Sequence, residues 1–121
     1  MPVNPWPSEW LRGLLTLAVL RVLADGPTYG YEIAARLEEG GFGLVKGGSL
    51  YPLLSRLEVA GHVSTEWREG QGGPGRKYFL LTDQGRQEFT RQAQQWRDFS
   101  STTDHFLVPF PGAGSVPENE E

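Results

Sequence analysis

The chain has 121 residues, of which 38% are hydrophobic and 21% charged, and its formal net charge at pH 7 is −4. This length suits one domain, and six Phe, four Tyr and four Trp are enough for a core, which excludes wholesale disorder. The absence of cysteine excludes disulfides, thiolate metal sites and a cysteine nucleophile. Residues 11–23 are apolar but contain two arginines and are too short to span a bilayer, and no signal peptide precedes them. We therefore expect a soluble cytoplasmic protein that has no membrane partner.

The acidic balance is largely local to the C-terminus. Glu118, Glu120 and Glu121 are three of the 15 acidic residues, so residues 1–117 retain 12 acidic and 11 basic side chains. A near-neutral body can bind DNA if its basic groups cluster on one face, so the net charge does not exclude a nucleic-acid partner.

The first predicted helix follows a proline-rich arm. Ser8 is its expected N-cap, and Glu9 suits the positive end of a helix. Apolar residues from Trp10 onwards cover much of its surface, which predicts a largely buried helix that ends at the Asp-Gly-Pro of residues 25–27.

The second predicted helix begins at Thr28 as its cap. Tyr29, Ile33 and Leu37 recur at four-residue spacing, and the glycines at 40–41 end the helix.

The third predicted helix follows residues 42–48, which allow at most a very short strand. Ser49 is its expected N-cap, Pro52 is placed in its first turn, and Gly61 ends it. Its leucines recur at i, i+3, i+4 and i+7 and predict one buried face. They are Leu50, Leu53, Leu54 and Leu57.

A hairpin and a long helix complete the chain. Val63, Thr65 and Trp67 alternate with polar residues, residues 69–75 form a mobile loop, and residues 77–81 form the returning strand. A polar helix then runs from about residue 83 to 106 with a narrow apolar stripe. The stripe consists of Phe89, Ala93, Trp96, Phe99 and Phe106.

This order of elements predicts a mainly α protein with a small β-hairpin wing, a winged helix-turn-helix followed by a C-terminal dimerisation helix. We expect an N-terminal arm at 1–8, the DNA-binding domain at 9–82, the dimerisation helix at 83–107 and a disordered acidic tail at 108–121. A small α+β domain without DNA-binding function shows the same order, so periodicity alone leaves both open.

Three sequence blocks closely resemble the PadR family of bacterial transcriptional regulators. They are TYGYEI at residues 28–33, GSLYPLLSRLE at 48–58 with Gly61, and GRKYFLLT at 75–82 with Gly85. The likeness runs from about residue 14 to 85. The chain departs from the family pattern at residues 46–47, which are Lys-Gly in place of Ser-Pro, and at His62 in place of Leu.

In a winged helix-turn-helix the third helix enters the major groove and the hairpin contacts the flanking backbone. The candidate DNA-binding residues are Tyr29, Lys46, Ser49, Tyr51, Pro52, Arg56, Arg68, Arg76 and Lys77. Each has a structural alternative. Ser49 can act only as a cap, the Tyr51 ring can pack in the core with its hydroxyl exposed, and Arg56 can pair with a surface carboxylate. The basic wing can likewise be a merely solvated surface.

The short C-terminal segment resembles the PadR subgroup that dimerises through a single helix. The candidate dimer and ligand-pocket residues are Trp10, Leu14, Phe89, Ala93, Trp96 and Phe99. The resemblance implies that Trp96 helps to bind a flat hydrophobic or aromatic effector, and plain interface packing is the alternative. Trp6 is a further candidate for the same space.

These observations together predict a homodimeric DNA-binding regulator, a repressor that recognises a palindromic double-stranded operator and is released by a small hydrophobic effector. The alternatives are a winged-helix protein-interaction module and a small-molecule sensor built on the aromatic dimer pocket. No nucleophile elbow or phosphate loop is present, so an enzyme is not expected. His62 and His105 have no carboxylates at metal-ligand spacing, and we expect neither a metal nor a cofactor.

Overall fold

The computed structural model describes residues 5–70 and 73–108. Its elements are α1 (Ser8–Ala24), β1 (Thr28–Tyr29), α2 (Gly30–Leu37), a π-helical turn (Glu38–Phe42), α3 (Gly47–Val59), β2 (Val63–Arg68), β3 (Arg76–Leu81) and α4 (Asp83–Leu107). The predicted fold class, mainly helical with a small antiparallel wing, is confirmed. Residues 1–4 of the predicted arm, residues 71–72 of the wing loop and residues 109–121 of the predicted tail lie outside the described residues.

The core lies between α1, α2, α3 and one face of the sheet. The four leucines of α3 are buried, as the i, i+3, i+4, i+7 spacing predicts. They pack in one cluster with apolar residues of the other elements. These include Val19, Leu20, Leu23, Ile33, Leu37, Val63 and Phe79.

The sheet has three antiparallel strands in the order β1-β3-β2, one more than the predicted hairpin. β1 contains only Thr28 and Tyr29, which pair with Phe79 and Tyr78 of β3. The predicted role of Thr28 as a helix cap is wrong, because Tyr29 occupies the N-cap position. α2 instead begins at Gly30.

Two other predicted N-caps are displaced. Pro7 occupies the N-cap position of α1, and Ser8 is the first helical residue. Lys46 occupies the N-cap position of α3, and its carbonyl oxygen accepts the amides of Ser49 and Leu50 at 2.9 Å. Ser49 therefore lies in the first turn and makes no capping bond. Pro52 lies inside the helix, beyond the first turn, where it removes one intrahelical hydrogen bond.

The region between α2 and α3 is also less regular than expected. The predicted stop at residues 40–41 becomes the π-helical turn, which Gly41 accommodates with a φ of 100°. Residues 43–46 contain no strand.

The turn from α3 into β2 is held by a glycine and a threonine. Gly61 has a φ of 84°, and the amides of Gly61 and His62 bond to the carbonyls of Glu58 and Leu57, the Schellman arrangement. The Thr82 hydroxyl donates to the Gly61 carbonyl at 2.7 Å and accepts the Gly85 amide at 2.9 Å. Thr82 thus joins the end of α3 to the first turn of α4.

A carboxylate joins α1 to α2. Asp25, at the C-cap of α1, accepts hydrogen bonds from Arg21 at 2.8 Å and from Arg36 at 2.5 Å. These two guanidinium groups lower the pKa of the Asp25 carboxyl below its usual value.

The chain divides into two compact units, residues 1–90 and residues 91–121. The first contains the helix-turn-helix, the sheet and the start of α4. Within it, Gly85 is buried and Phe89 packs against the core cluster. The second contains the remainder of α4.

Candidate nucleic-acid interface

The side of α3 that faces away from the core contains most of the predicted helix contacts. Ser49, Tyr51, Pro52 and Arg56 are exposed there, and Lys46 is exposed immediately before the helix. Neither Lys46 nor Arg56 has an ion pair within residues 5–70 and 73–108, so the surface pairing considered for Arg56 is not formed. One uncompensated cation therefore lies at the N-cap position of α3 and another in its last turn.

Tyr51 is held in place by two glycines. A Cβ atom on Gly30 would overlap the Tyr51 hydroxyl and lie 2.7 Å from its Cζ, and one on Gly47 would lie 3.4 Å from Cδ2. The ring nevertheless remains 51% exposed. The alternative in which only the hydroxyl is exposed is wrong, because the hydroxyl points at the start of α2 while much of the ring faces outwards.

The outer face of the wing contains two arginines stacked on two tyrosines. Arg68 and Arg76 are direct cross-strand partners. Arg76 lies 4.4 Å from the centroid of Tyr29, Arg68 lies 4.5 Å from that of Tyr78, and the two tyrosine rings are 5.4 Å apart. Like charges directly opposite each other are destabilising, and the aromatic faces offset part of that repulsion.

The two arginines differ in their charge compensation. Arg68 donates from Nε to a carboxylate oxygen of Glu66 at 2.6 Å. Arg76 has no carboxylate partner in the part of the chain that the structure describes. Arg76 is therefore the freer cation of the pair.

The opposite face of the wing contains Lys77 and Trp67, which are cross-strand partners. The Lys77 ammonium lies 5.7 Å from the Phe79 ring centroid. Because side chains alternate along a strand, adjacent Arg76 and Lys77 lie on opposite faces. The basic wing is thus two surfaces rather than the single cluster that the sequence suggests.

An open cleft of about 290 Å³ lies between the helices and the wing. Its lining residues are Tyr29, Gly30, Tyr31, Tyr51, Trp67, Gly75, Arg76, Lys77 and Phe79. The cleft brings together four predicted contacts, Tyr29 from β1, Tyr51 from α3, and Arg76 and Lys77 from β3. The other predicted residues, Lys46, Ser49, Pro52, Arg56 and Arg68, lie outside it.

Sequence reasoning missed two exposed aromatic residues of this cleft. Tyr31 is 79% exposed and Trp67 is 72% exposed. The exposure of Trp67 could have been predicted from the sequence. Trp67 continues the buried face of its strand beyond the core, where no helix covers it. For Tyr31, the only indication in the sequence was its position beside the core residues of α2.

The predicted dimer and ligand residues fall into separate groups. On α4, Trp96 and Phe99 are exposed and their ring centroids lie 5.8 Å apart, whereas Ala93 is half-buried. Phe89 packs against the core of its own domain and is less available to a second chain.

On α1, Trp10 is exposed and Leu14 is half-buried. The Trp6 indole N–H donates to the Gly41 carbonyl oxygen at 2.8 Å, so the Trp6 side chain makes a contact within its own chain.

Among residues 5–70 and 73–108, no group of three or more His, Asp or Glu side chains is arranged to hold a metal ion. No helix in these ranges is long and apolar enough to cross a membrane.

Three helices, a three-stranded wing and a shared cleft between them define a winged helix-turn-helix protein. Residues 19–91 match the model of the transcriptional regulator PadR-like family. The chain belongs to this family, whose members are transcriptional regulators.

Two solved structures agree with this assignment, and an uncharacterised curated protein is also similar to this chain. A PadR family regulator from Eggerthella lenta is 33% identical with a TM-score of 0.77, covering 85% of this chain and 89% of that one. A PadR-like regulator from Bacillus cereus is 31% identical with a TM-score of 0.76, covering 84% and 99% respectively. An uncharacterised protein of Lysinibacillus sphaericus is 26% identical over 102 residues, 83% of this chain and 94% of that one.

Proposed function

We propose that this regulator binds an operator in double-stranded DNA through α3 and the wing, and acts as a repressor in the cytoplasm. The observation that supports this most directly is the shared cleft, in which Tyr51 of α3 meets Arg76 and Lys77 of the wing. In this proposal, α3 and the wing contact a major groove and the adjoining backbone at the same time.

The roles of the individual contacts follow from their chemistry. In this proposal Tyr51, Pro52 and Ser49 touch base edges, where an apolar ring suits a thymine methyl and a hydroxyl suits either type of base edge. Lys46, Arg56, Arg76 and Lys77 contact phosphates and fix the register of the helix. Tyr29 and Arg68 belong to the stacked outer face of the wing and support Arg76.

The proposed active form is a homodimer joined by the exposed stripe on α4. Trp96, Phe99 and Phe106 expose apolar rings on a mostly polar helix, and a second copy of the chain would bury them. A dimer of this kind recognises a palindrome, with half-sites about 34 Å apart in successive major grooves. Trp10 and Leu14 of α1 are further proposed contacts to the second copy.

A small flat hydrophobic effector would bind between the two copies of Trp96 and release the operator. Such a ligand acts only if it favours one arrangement of the two DNA-binding domains over the other. The proposal predicts that the effector weakens DNA binding without dissociating the dimer.

The direct test is the affinity of the full chain for its own upstream DNA at increasing salt, compared with random DNA. We expect specific binding with a steep salt dependence, since phosphate contacts release counterions. The double variant Arg76→Glu with Lys77→Glu should abolish binding and leave the dimer intact.

A matched control separates the site from bulk charge. Arg12→Glu with Arg86→Glu changes the net charge by the same amount at exposed positions outside the cleft. The control should bind the operator much more tightly than the wing variant does. Equal losses in both variants would attribute binding to net charge and contradict the proposed interface.

A further inference from the structure

Trp67 is the largest apolar side chain exposed on the wing. On the same face of β2, Val63 is buried and Thr65 is half-buried, whereas Trp67 is 72% exposed. The strand therefore runs out from under the helices, and its last inward-facing aromatic ring is left uncovered. Burying a Trp ring removes a large apolar area from water, so this position favours a partner that covers it.

The surroundings of Trp67 are those of a DNA contact. Its cross-strand partner is Lys77, and it shares the cleft with Tyr51 of α3. A Cβ atom on Gly75 would lie 3.4 Å from the indole Cε3 and 3.1 Å from the Arg68 carbonyl oxygen. The glycine thus leaves room for the indole beside the wing backbone.

We propose that Trp67 determines sequence preference by placing its indole in the minor groove next to the half-site that α3 contacts, where it favours A·T over G·C pairs. This inference rests on the proposed function. The minor groove of an A·T pair lacks the 2-amino group of guanine, so an apolar ring can approach the groove floor closely. Apolar wedges of this kind occur in other minor-groove proteins, and Lys77 is placed to neutralise a flanking phosphate.

The test uses a duplex that the wild-type chain binds specifically, in three versions of the base pairs beneath the wing. These pairs are A·T, G·C or inosine·C, which has the minor groove of A·T and the major groove of G·C. We expect wild-type affinity to be similar for A·T and inosine·C and about tenfold lower for G·C, as an apolar groove contact predicts. Trp67→Ala should lose most of that difference, and Trp67→Phe should keep most of it.

Several outcomes would overturn the inference. Inosine·C behaving like G·C would assign the preference to the major groove. An equal loss by Trp67→Ala on all three duplexes would make Trp67 a backbone contact or a support of the wing. Trp67→Thr is the control for folding of the wing, because threonine favours β-strands. It should give the same result as Trp67→Ala, and a different result would show that the alanine variant had unfolded the wing. If the wild-type chain discriminates no duplex from random DNA, the proposed function fails and this inference fails with it.

Discussion

Gly85 offers the sharpest test of how the first turn of α4 packs against the segment between α3 and β2. It is buried in the first turn of α4, and its amide donates to the Thr82 hydroxyl. A Cβ atom there would overlap the carbonyl oxygen of His62 and lie 2.9 Å from both the His62 carbonyl carbon and Leu81 Cδ1. Since part of the obstacle is backbone, Gly85→Ala cannot be relieved by a side-chain rotation.

The expected loss can be worked from three contributions. Alanine gains up to about 1 kcal/mol in helix propensity. Overpacking against the backbone costs about 1–3 kcal/mol. Weakening the bonds that Thr82 makes to Gly61 and Gly85 costs about 1 kcal/mol each. The net destabilisation is about 3 kcal/mol, which lowers the Tm by roughly 15 °C for a domain of this size.

Circular dichroism during heating and in urea, at fixed protein concentration, measures this loss. Gly13→Ala is the matched control, because Gly13 lies inside α1 and a Cβ atom there meets nothing within 4 Å. It should gain about 0.5–1 kcal/mol. If Gly85→Ala proves as stable as Gly13→Ala, the close packing of α4 on His62 is not the constraint described above.

Three further predictions follow. Asp25→Asn should destabilise the domain at neutral pH. Because the pKa of Asp25 is lowered by folding, its carboxylate stabilises the fold above the ordinary carboxyl pKa of about 3.9, and this stabilisation is lost as the pH falls through the lower pKa of the folded state. The urea midpoints of the variant and the wild-type chain should therefore converge at acid pH, and a constant gap between them would contradict this. Gly30→Ala should displace the Tyr51 hydroxyl and reduce the free energy of DNA binding more than the free energy of unfolding. Fluorescence anisotropy measures the first and thermal unfolding the second. An unchanged DNA affinity would remove Tyr51 from the interface. Pro52→Ala should restore the amide bond to the Gly48 carbonyl and raise stability by about 1 kcal/mol or more in urea titrations, and a loss of stability would show that the ring is needed for packing.

The sequence predicted the parts of the fold that depend on local periodicity. The four leucines of α3 and the alternation of Val63 and Thr65 each indicate a buried face without knowledge of the partner element. The end of α3 at Gly61 was equally predictable, because a positive φ there requires almost no other residue.

The parts that depend on pairing between distant segments were not predictable. β1 has only two residues, and it exists because Thr28 and Tyr29 pair with β3, far along the chain. The same pairing displaces the start of α2 from Thr28 to Gly30. The predicted caps Ser8 and Ser49 were misplaced by one and three residues, because α1 begins at Ser8 and α3 at Gly47.

The candidate site was predicted in composition more than in arrangement. Arg76 and Lys77 were treated as one cluster, although strand alternation already separates them onto opposite faces. Trp67 was assigned to the sheet alone, because the sequence does not show where the helices stop covering the strand. Only the three-dimensional structure places Tyr51, Lys77 and Trp67 around one cleft.

Local charge compensation explains how an acidic chain can offer a cationic surface. Asp25 engages Arg21 and Arg36 on the side of α1 and α2, away from the cleft residues. In the described part of the chain, Arg76 and Lys77 have no carboxylate partner and rest on aromatic rings instead. A ring holds a cation in position without neutralising it, so the charge remains available to a phosphate. The net charge of −4 therefore bears on solubility and long-range steering, whereas the affinity of the cleft depends on its own few uncompensated cations.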